Sequence, residues 1–444
     1  MVSYFQAKYA VRIASACTRS TLSSIPARAL HSSTARRFEP VANASPASPM
    51  RRKVTWLDAV KAKEEGRLAR PDPNNVHLEP SDIPRTMQDS YTTISLPFAE
   101  DEWLLDAYVN TRGKLRIGQI FQDLDALAGV IAYNHCKPAD PTIVTASVDR
   151  ISLLKRLTEL KNVELAGNVT WTGRSSMEIT IRARTVPDNE VFLTANFTFV
   201  ARHPITLKSF PINPLIPQNE TEQHIFDRAE QYNKAKRLAA KTSLLSAPPN
   251  TEESGIIHAM WLRQQAYEDV NSGVEKPADV VMMKDTEIKS TMFMQPQYRN
   301  RHSYMIFGGY LLRQTFELAY CCAAACSHGV PQFLSLDQTT FRAPVPVGSV
   351  LYLTASVAYT SPQVEPKSGT LIQVRVDSTV FDIKHGTSTS CGSFTYTYFI
   401  DKAITVLPVS YDEGMKYLEG RRRAIESRKF GNDLLNLNDT GMLE

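Results

Sequence analysis

Apolar and polar positions fall into two blocks of the same design. In the second block a polar loop, Arg299-Asn300-Arg301-His302-Ser303-Tyr304, leads through Met305 to Phe307 into Gly308–Gly309 and then into a helical stretch. Between Tyr310 and Tyr320 the only strongly polar side chains are Arg313, Gln314 and Glu317. Leu311, Leu312, Phe316, Leu318, Ala319 and the run from Cys322 to Cys326 are apolar. A helix apolar around most of its circumference is buried rather than laid on a surface. Its glycine-opened start leaves backbone N–H groups aimed at whatever sits there. The first block repeats the plan with Asn110, a basic loop, Gly118 and a mostly apolar helix over 119–136. Asn110 and Asn300 lie 190 residues apart, and Asp149 and Asp337 lie 188 apart. Offsets that agree this well predict an internal duplication, two fused domains rather than a short-period solenoid.

Each helix is followed by runs rich in β-branched and aromatic residues, bounded by turn formers. In the first block these predict strands over 143–148, 163–171, 177–183 and 191–201, after an opening strand within 90–97. In the second they predict strands at 286–294, 332–336, 350–359, 371–381 and 393–400. The last alternates cleanly (SFTYTYF), as an antiparallel sheet with one covered face requires. One apolar helix and four or five strands, twice, is an α+β arrangement in which each sheet must wrap its helix. The stretch 205–280 reads as a helical connector. The tail from Ser410 carries Glu419-Gly420-Arg421-Arg422-Arg423, which reads as a solvated helix face.

Composition changes the picture at one end only. Residues 1–38 hold six basic residues and no acid, and Glu39 is the first acidic residue. A basic, Ser/Thr/Ala-rich start without acids reads as a mitochondrial transit peptide with a lead-in, over about 1–50. Setting those six cations aside leaves 44 basic against 46 acidic residues, so the formal +4 becomes −2. A near-neutral body gives no reason to propose nucleic acid as a partner. No apolar run approaches the length that spans a bilayer, so no transmembrane segment is expected. Six cysteines in 444 residues, with no C-x-x-C, predict neither a disulfide framework nor structural zinc. No G-x-S-x-G elbow, P-loop or G-x-G-x-x-G occurs, which argues against a serine α/β-hydrolase and against nucleotide chemistry.

Several segments resemble the hotdog-fold acyl-coenzyme A thioesterases. These are Asn300-Arg301-His302, Ile306-Phe307-Gly308-Gly309-Tyr310-Leu311, Phe316-Glu317-Leu318-Ala319 and Arg342-Ala343-Pro344-Val345-Pro346-Val347-Gly348. In the first block Gly113-Lys114-Leu115-Arg116-Ile117-Gly118, Asp123-Leu124-Asp125 and Arg174-Ser175-Ser176-Met177-Glu178 are similar to the same enzymes. The resemblance covers roughly 86–402 and is strongest to the mitochondrial double-hotdog group. It implies two tandem hotdog domains, over 86–205 and 281–402, each a long central helix wrapped by a curved antiparallel sheet. It also implies hydrolysis of acyl-CoA to free acid and coenzyme A at the interface between units. No metal or organic cofactor is implied, coenzyme A being part of substrate and product. Pairing of hotdog units implies a homo-oligomer, a trimer or dimer of chains, and the group implies the mitochondrion, in its matrix.

Thioester hydrolysis needs an activated water and donors for the developing oxyanion. By helical spacing Asp125 shares a face with Phe121, Ala128, Gly129 and Ala132, where desolvation raises a carboxylate pKa. On the residues alone Asp125 is either a base or a structural carboxylate at a subunit contact; the resemblance favours the base. Asn300 holds a water or carbonyl, or else stabilises its own loop. Gly309, with Gly308, offers backbone N–H donors. Asp125, Asn300 and Gly309 are thus the candidate catalytic set. A second set, Asn110, Gly118 and Glu317, is degenerate: Phe316 stands where the acid is expected, and Glu317 is rotated by about 100° from it. Arg174, Ser175, Ser176, Arg301 and His302 are candidates to touch coenzyme A, against the plainer reading of solvated loops. Two other functions fit the same residues. One is a hotdog-fold enoyl-CoA hydratase or dehydratase, and the other is a non-catalytic acyl-CoA-binding protein, which Phe316 favours.

Overall fold

A computed structural model describes residue 79 and residues 82–439, apart from 158, 242, 245, 301–304 and 364–367. The described residues belong to one compact unit. The leader expected over 1–50, and the candidates Arg301 and His302, lie outside the described residues.

In chain order the first half contains α1 (Met87–Ser90), β1 (Thr92–Leu96), α2 (Glu102–Tyr108), α3 (Ile117–Cys136), β2 (Thr142–Leu153), β3 (Asn162–Thr172), β4 (Ser176–Val186) and β5 (Val191–Arg202). Two helices follow, α4 (Glu220–Lys241) and α5 (Thr251–Glu268). The second half has β6 (Val280–Met282), β7 (Ile288–Phe293), α6 (Gly308–Ser327), β8 (Gln332–Leu336), β9 (Thr339–Thr340), β10 (Val350–Gln363), β11 (Gly369–Asp382), β12 (Thr387–Ile400) and β13 (Thr405–Leu407). The long helix α7 (Tyr411–Asp439) comes last.

The expected duplication is a single sheet. Its strands run β1-β3-β4-β5-β2-β8-β12-β11-β10-β7, all antiparallel, with β9 beside β2. The halves join through two short pairings, Ile151↔Leu336 with Ser152↔Ser335, and Val148↔Thr339 with Ser147↔Thr340. Adding 188 to the β2 residue of one pairing gives the β9 residue of the other, so a pseudo-twofold axis passes between them.

α3 packs on all five strands of its half, burying Ile120, Phe121, Leu124, Leu127, Ala128 and Ile131 completely. α6 packs on β7, β10, β11 and β12. Each fully buried Leu, Ile or Phe contributes about 1.5–3 kcal/mol, which outweighs the cost of placing a few polar groups among them. Both helices stop where chain chemistry demands. Pro138 disfavours helical geometry at Lys137, and α6 ends at His328 in the left-handed region (φ 47°). The helices cross antiparallel by their N-terminal turns: Gly308 faces Asp125, and Gly118 faces Phe316.

The repeat is longer than the sequence pattern indicates, because α4 lies on β3 and α7 lies on the equivalent strand β10. Each is tied to a buried aspartate. Lys236 of α4 pairs with buried Asp149, which also accepts from Ser147 and Thr198, while Ser427 of α7 donates to buried Asp337 at 3.1 Å. The run Glu419–Arg423 is therefore not the solvated face expected. Glu419 pairs with Arg375 (2.8 Å), Arg421 with Glu252 (2.6 Å) and Arg422 with Glu253 (2.6 Å), and Arg423 donates to Thr395. Gly420 permits the approach, since a Cβ there would lie 2.5 Å from the Cβ of Tyr359.

Candidate active site

α6 starts without a side-chain cap from its own segment. Its cap comes from the other half. The N–H of Gly309 donates to Oδ2 of Asp125 at 2.6 Å, across 184 residues of sequence. An anion at a helix N-terminus is favoured both by the open N–H groups and by the helix dipole. Oδ1 of Asp125 accepts from Oγ1 of Thr145 on β2 at 3.0 Å. The carboxylate is 1% exposed, and burial pushes its pKa from 3.8 up to about 6, against the lowering pull of the Thr145 and Gly309 hydrogen bonds. Desolvation wins because the group sits wholly inside the core, and the two donors stop the rise short of a permanently neutral acid.

The two glycines make the meeting geometrically possible. A Cβ on Gly308 would lie 3.0 Å from Asp125 Oδ2 and 3.4 Å from Thr145 Oγ1; one on Gly309 would lie 2.9 Å from the carbonyl oxygen of Gln122. The loop before α6 is pinned at its base. Phe307 N donates to Tyr298 O (2.8 Å), Asn300 N donates to Met305 O (2.9 Å), and the Tyr298 ring stacks on Tyr310 at 4.0 Å. Asn300 stands half-buried in this loop.

Thr145 was not singled out by the sequence reading, and Gly309 plays a different part from the one expected. Its N–H is engaged by the carboxylate rather than turned toward a substrate carbonyl. Asp123, two positions from Asp125, accepts from the Tyr108 hydroxyl at 2.5 Å. The turn carrying Arg174, Ser175 and Ser176 lies two strands from Val144 by register, through Val200. Its carbonyls are tied to Ala201 and Ile212.

The pseudo-twofold copy of the site is closed. Asp125 maps to Phe316 as Gly118 maps to Gly309, and Thr145 maps by the 188-residue offset to Phe333. Both polar members are thus phenylalanine. Their rings meet edge to face at 5.4 Å, and Phe316 lies against Gly118, where a Cβ would sit 3.1 Å from its ring. Glu317 is drawn off to Arg116 (2.5 Å) and Arg313 (3.4 Å). Asn110, expected in the second set, is engaged with its own loop: its Oδ1 accepts from the N–H groups of Arg112 (2.9 Å) and Lys114 (3.1 Å).

Two antiparallel five-stranded units, each with a central helix and joined edge to edge, define a double-hotdog protein. A family model described as the thioesterase superfamily matches residues 117–192, the stretch that holds Asp125 and Thr145. The chain is 35% identical over 384 residues to the mitochondrial acyl-coenzyme A thioesterase 10 of Mus musculus, covering 83% of this chain and 84% of that one. It is 34% identical over 384 residues to the mitochondrial acyl-coenzyme A thioesterase 9 of Homo sapiens, with the same coverage. A chloroplastic acyl-coenzyme A thioesterase 2 of Humulus lupulus matches at 32% over 76% of this chain and 80% of its own length. The chain belongs to the acyl-coenzyme A thioesterase family of double-hotdog proteins.

Proposed function

We propose that this protein is an acyl-CoA thioesterase of the mitochondrial matrix, hydrolysing acyl-CoA to free fatty acid and coenzyme A. The reaction takes place at a composite site made of Asp125 and Thr145 from the first half and the Asn300 loop with Gly308–Gly309 from the second. The observation that carries this reading is a fully buried carboxylate, hydrogen-bonded from both halves and set near neutral pH. A base with a pKa near the working pH combines sufficient ionisation with sufficient basicity.

In this reading ionised Asp125 accepts a proton from water as the water oxygen bonds to the thioester carbonyl carbon. Thr145 and Gly309 hold the carboxylate in place. The oxyanion is met by the Gly308 N–H, at the positive end of α6, and by the Asn300 amide. Collapse of the tetrahedral intermediate breaks the C–S bond. The proton held on Asp125 passes to the departing thiolate, so the base returns ionised and the products are the free acid and the coenzyme A thiol. No group outside the chain and water takes part. The second copy contributes nothing, because Phe316 and Phe333 have no proton to move.

Mitochondrial placement is supported by the acid-free basic start and by the names of the relatives. Assembly of chains into a dimer or trimer follows from the pairing habit of hotdog units. The test is thiol release from acyl-CoA substrates of graded length, run beside hydration of enoyl-CoA. Thiol release is expected. Hydration without thiol release, or release at no length, would refute the reading.

A further inference from the structure

The rings that replace the second site's polar groups also pack on Phe121, which shares a face of α3 with Asp125. α3 and α6 run antiparallel along their seam, with Gly308 against Asp125 at one end, Gln122 beside Gly309 in the middle and Gly118 against Phe316 at the other. Phe121 lies between the two ends. It is four residues before Asp125, hence on the same face of α3 and about 6 Å along its axis. Its ring is fully buried, with its centroid 5.2 Å from Phe316 and 5.5 Å from Phe333, both edge to face. Phe316 and Phe333 are themselves packed on Tyr396 or Tyr398 of β12.

Building on the thioesterase reading above, we propose that Phe121, Phe316 and Phe333 form the inner wall of the acyl-binding space and set the length of chain that the Asp125 site accepts. The reasoning is geometric. A thioester carbonyl presented to Asp125 and Gly308 directs its acyl tail into the apolar seam between the helices, because the coenzyme A end must stay with solvent. One helical turn along that seam stands the Phe121 ring, backed from the other half by the two phenylalanines. Loss of the second site thus has a positive consequence. The aspartate and threonine positions that would have bound a second thioester now supply rings from one half that limit the substrate held by the other.

The experiment measures binding of non-hydrolysable acyl-CoA thioethers of graded chain length, beside hydrolysis of the matching thioesters. The variants are Phe121→Leu, Phe316→Leu and Phe333→Leu, which keep an apolar side chain, and Phe333→Trp, which enlarges one. Melting temperatures verify that each is folded. Each methylene newly accommodated strengthens binding about fourfold. The leucine variants are therefore expected to raise the affinity for a chain two carbons beyond the wild-type limit by about fifteenfold relative to the limit itself. Phe333→Trp is expected to move the limit to shorter chains. Superimposable length profiles for wild type and all four folded variants would overturn the proposal. So would a limit that moves with Ala128→Leu and not with the phenylalanines, since the tail would then run the other way along α3. If the wild type binds the thioethers with a sharp length limit but hydrolyses nothing, the thioesterase reading falls, and the variants' binding profiles still decide the wall.

Discussion

Replacing Thr145 by valine removes one hydrogen bond and little else, and its effect can be worked out from the geometry. The hydroxyl donates to Oδ1 of Asp125 at 3.0 Å and so favours the ionised carboxylate. A hydrogen bond to a charged group contributes about 1.5–3 kcal/mol. At 1.36 kcal/mol per unit this is about one to two pKa units. Losing the donor disfavours the charged form, so the carboxylate rises from about 6 toward roughly 7–8. The base works only when ionised, so activity falls on the acid side of that value. In Thr145→Val the acid limb of the pH profile of kcat/KM should move upward by about one to two pH units. At pH 6 the variant should be about fivefold to fiftyfold slower, and near pH 9 it should recover most of the wild-type rate. The assay is thiol release at saturating and limiting acyl-CoA from pH 5 to about 9.5. A loss uniform across pH, or an acid limb that stays put, would refute the role given to this hydrogen bond.

Three further substitutions probe the framework. Gly308→Ala places a Cβ 3.0 Å from Asp125 Oδ2 and should lower kcat/KM by about tenfold to a hundredfold by displacing the base; a rate within twofold of wild type would contradict the close approach. Asn300→Ala should reduce turnover more than Asn110→Ala. The Asn110 change removes the acceptor for two loop N–H groups and should appear mainly as about 1 kcal/mol of lost stability, read by denaturant titration. Gly420→Ala forces a Cβ to within 2.5 Å of Tyr359 and should destabilise the fold by about 1–3 kcal/mol, lowering the melting temperature; an unchanged value would mean that α7 can lift from β10 without cost.

The two central helices were legible because their apolar residues occupy most of the circumference, and α6 begins at the double glycine that the pattern marks. The five main strands of each half were legible in order, several of them too short at their ends, and the short β6, β9 and β13 were not foreseen. β10 continues past Tyr359 to Gln363, unforeseen because a bulge between Val357 and Tyr359 and then Pro362 interrupt the alternating pattern. Asp125 could be picked out because a carboxylate on an apolar helix face demands an explanation. Thr145 could not, since threonine is ordinary in a strand, and only the antiparallel register puts it beside α3. One signal was available: the 188-residue offset that links Asp149 to Asp337 also links Thr145 to Phe333, a polar-to-aromatic exchange parallel to Asp125 and Phe316. The run Glu419–Arg423 reads as solvated in sequence because charge spacing along a helix cannot reveal the partners that the fold brings to it, Glu252 and Glu253 to Arg421 and Arg422, and Arg375 to Glu419. Asn110 and Asn300 look alike in sequence, and the side-chain bonds of Asn110 to its own loop emerge only in three dimensions.

The central claim is that Asp125 is the base and that the Phe316 side is silent. Single-turnover thioester hydrolysis by Asp125→Asn and by Glu317→Gln, each compared with wild type at pH 8, tests it most directly. Asparagine keeps the size of the side chain and an acceptor for one donor but cannot take a proton from water, so Asp125→Asn should be slower by about a hundredfold or more. Glu317→Gln loosens only its contacts with Arg116 and Arg313 and should stay within a few-fold of wild type. Near-wild-type hydrolysis by Asp125→Asn together with loss in Glu317→Gln would contradict the account and move the live site to the other pairing.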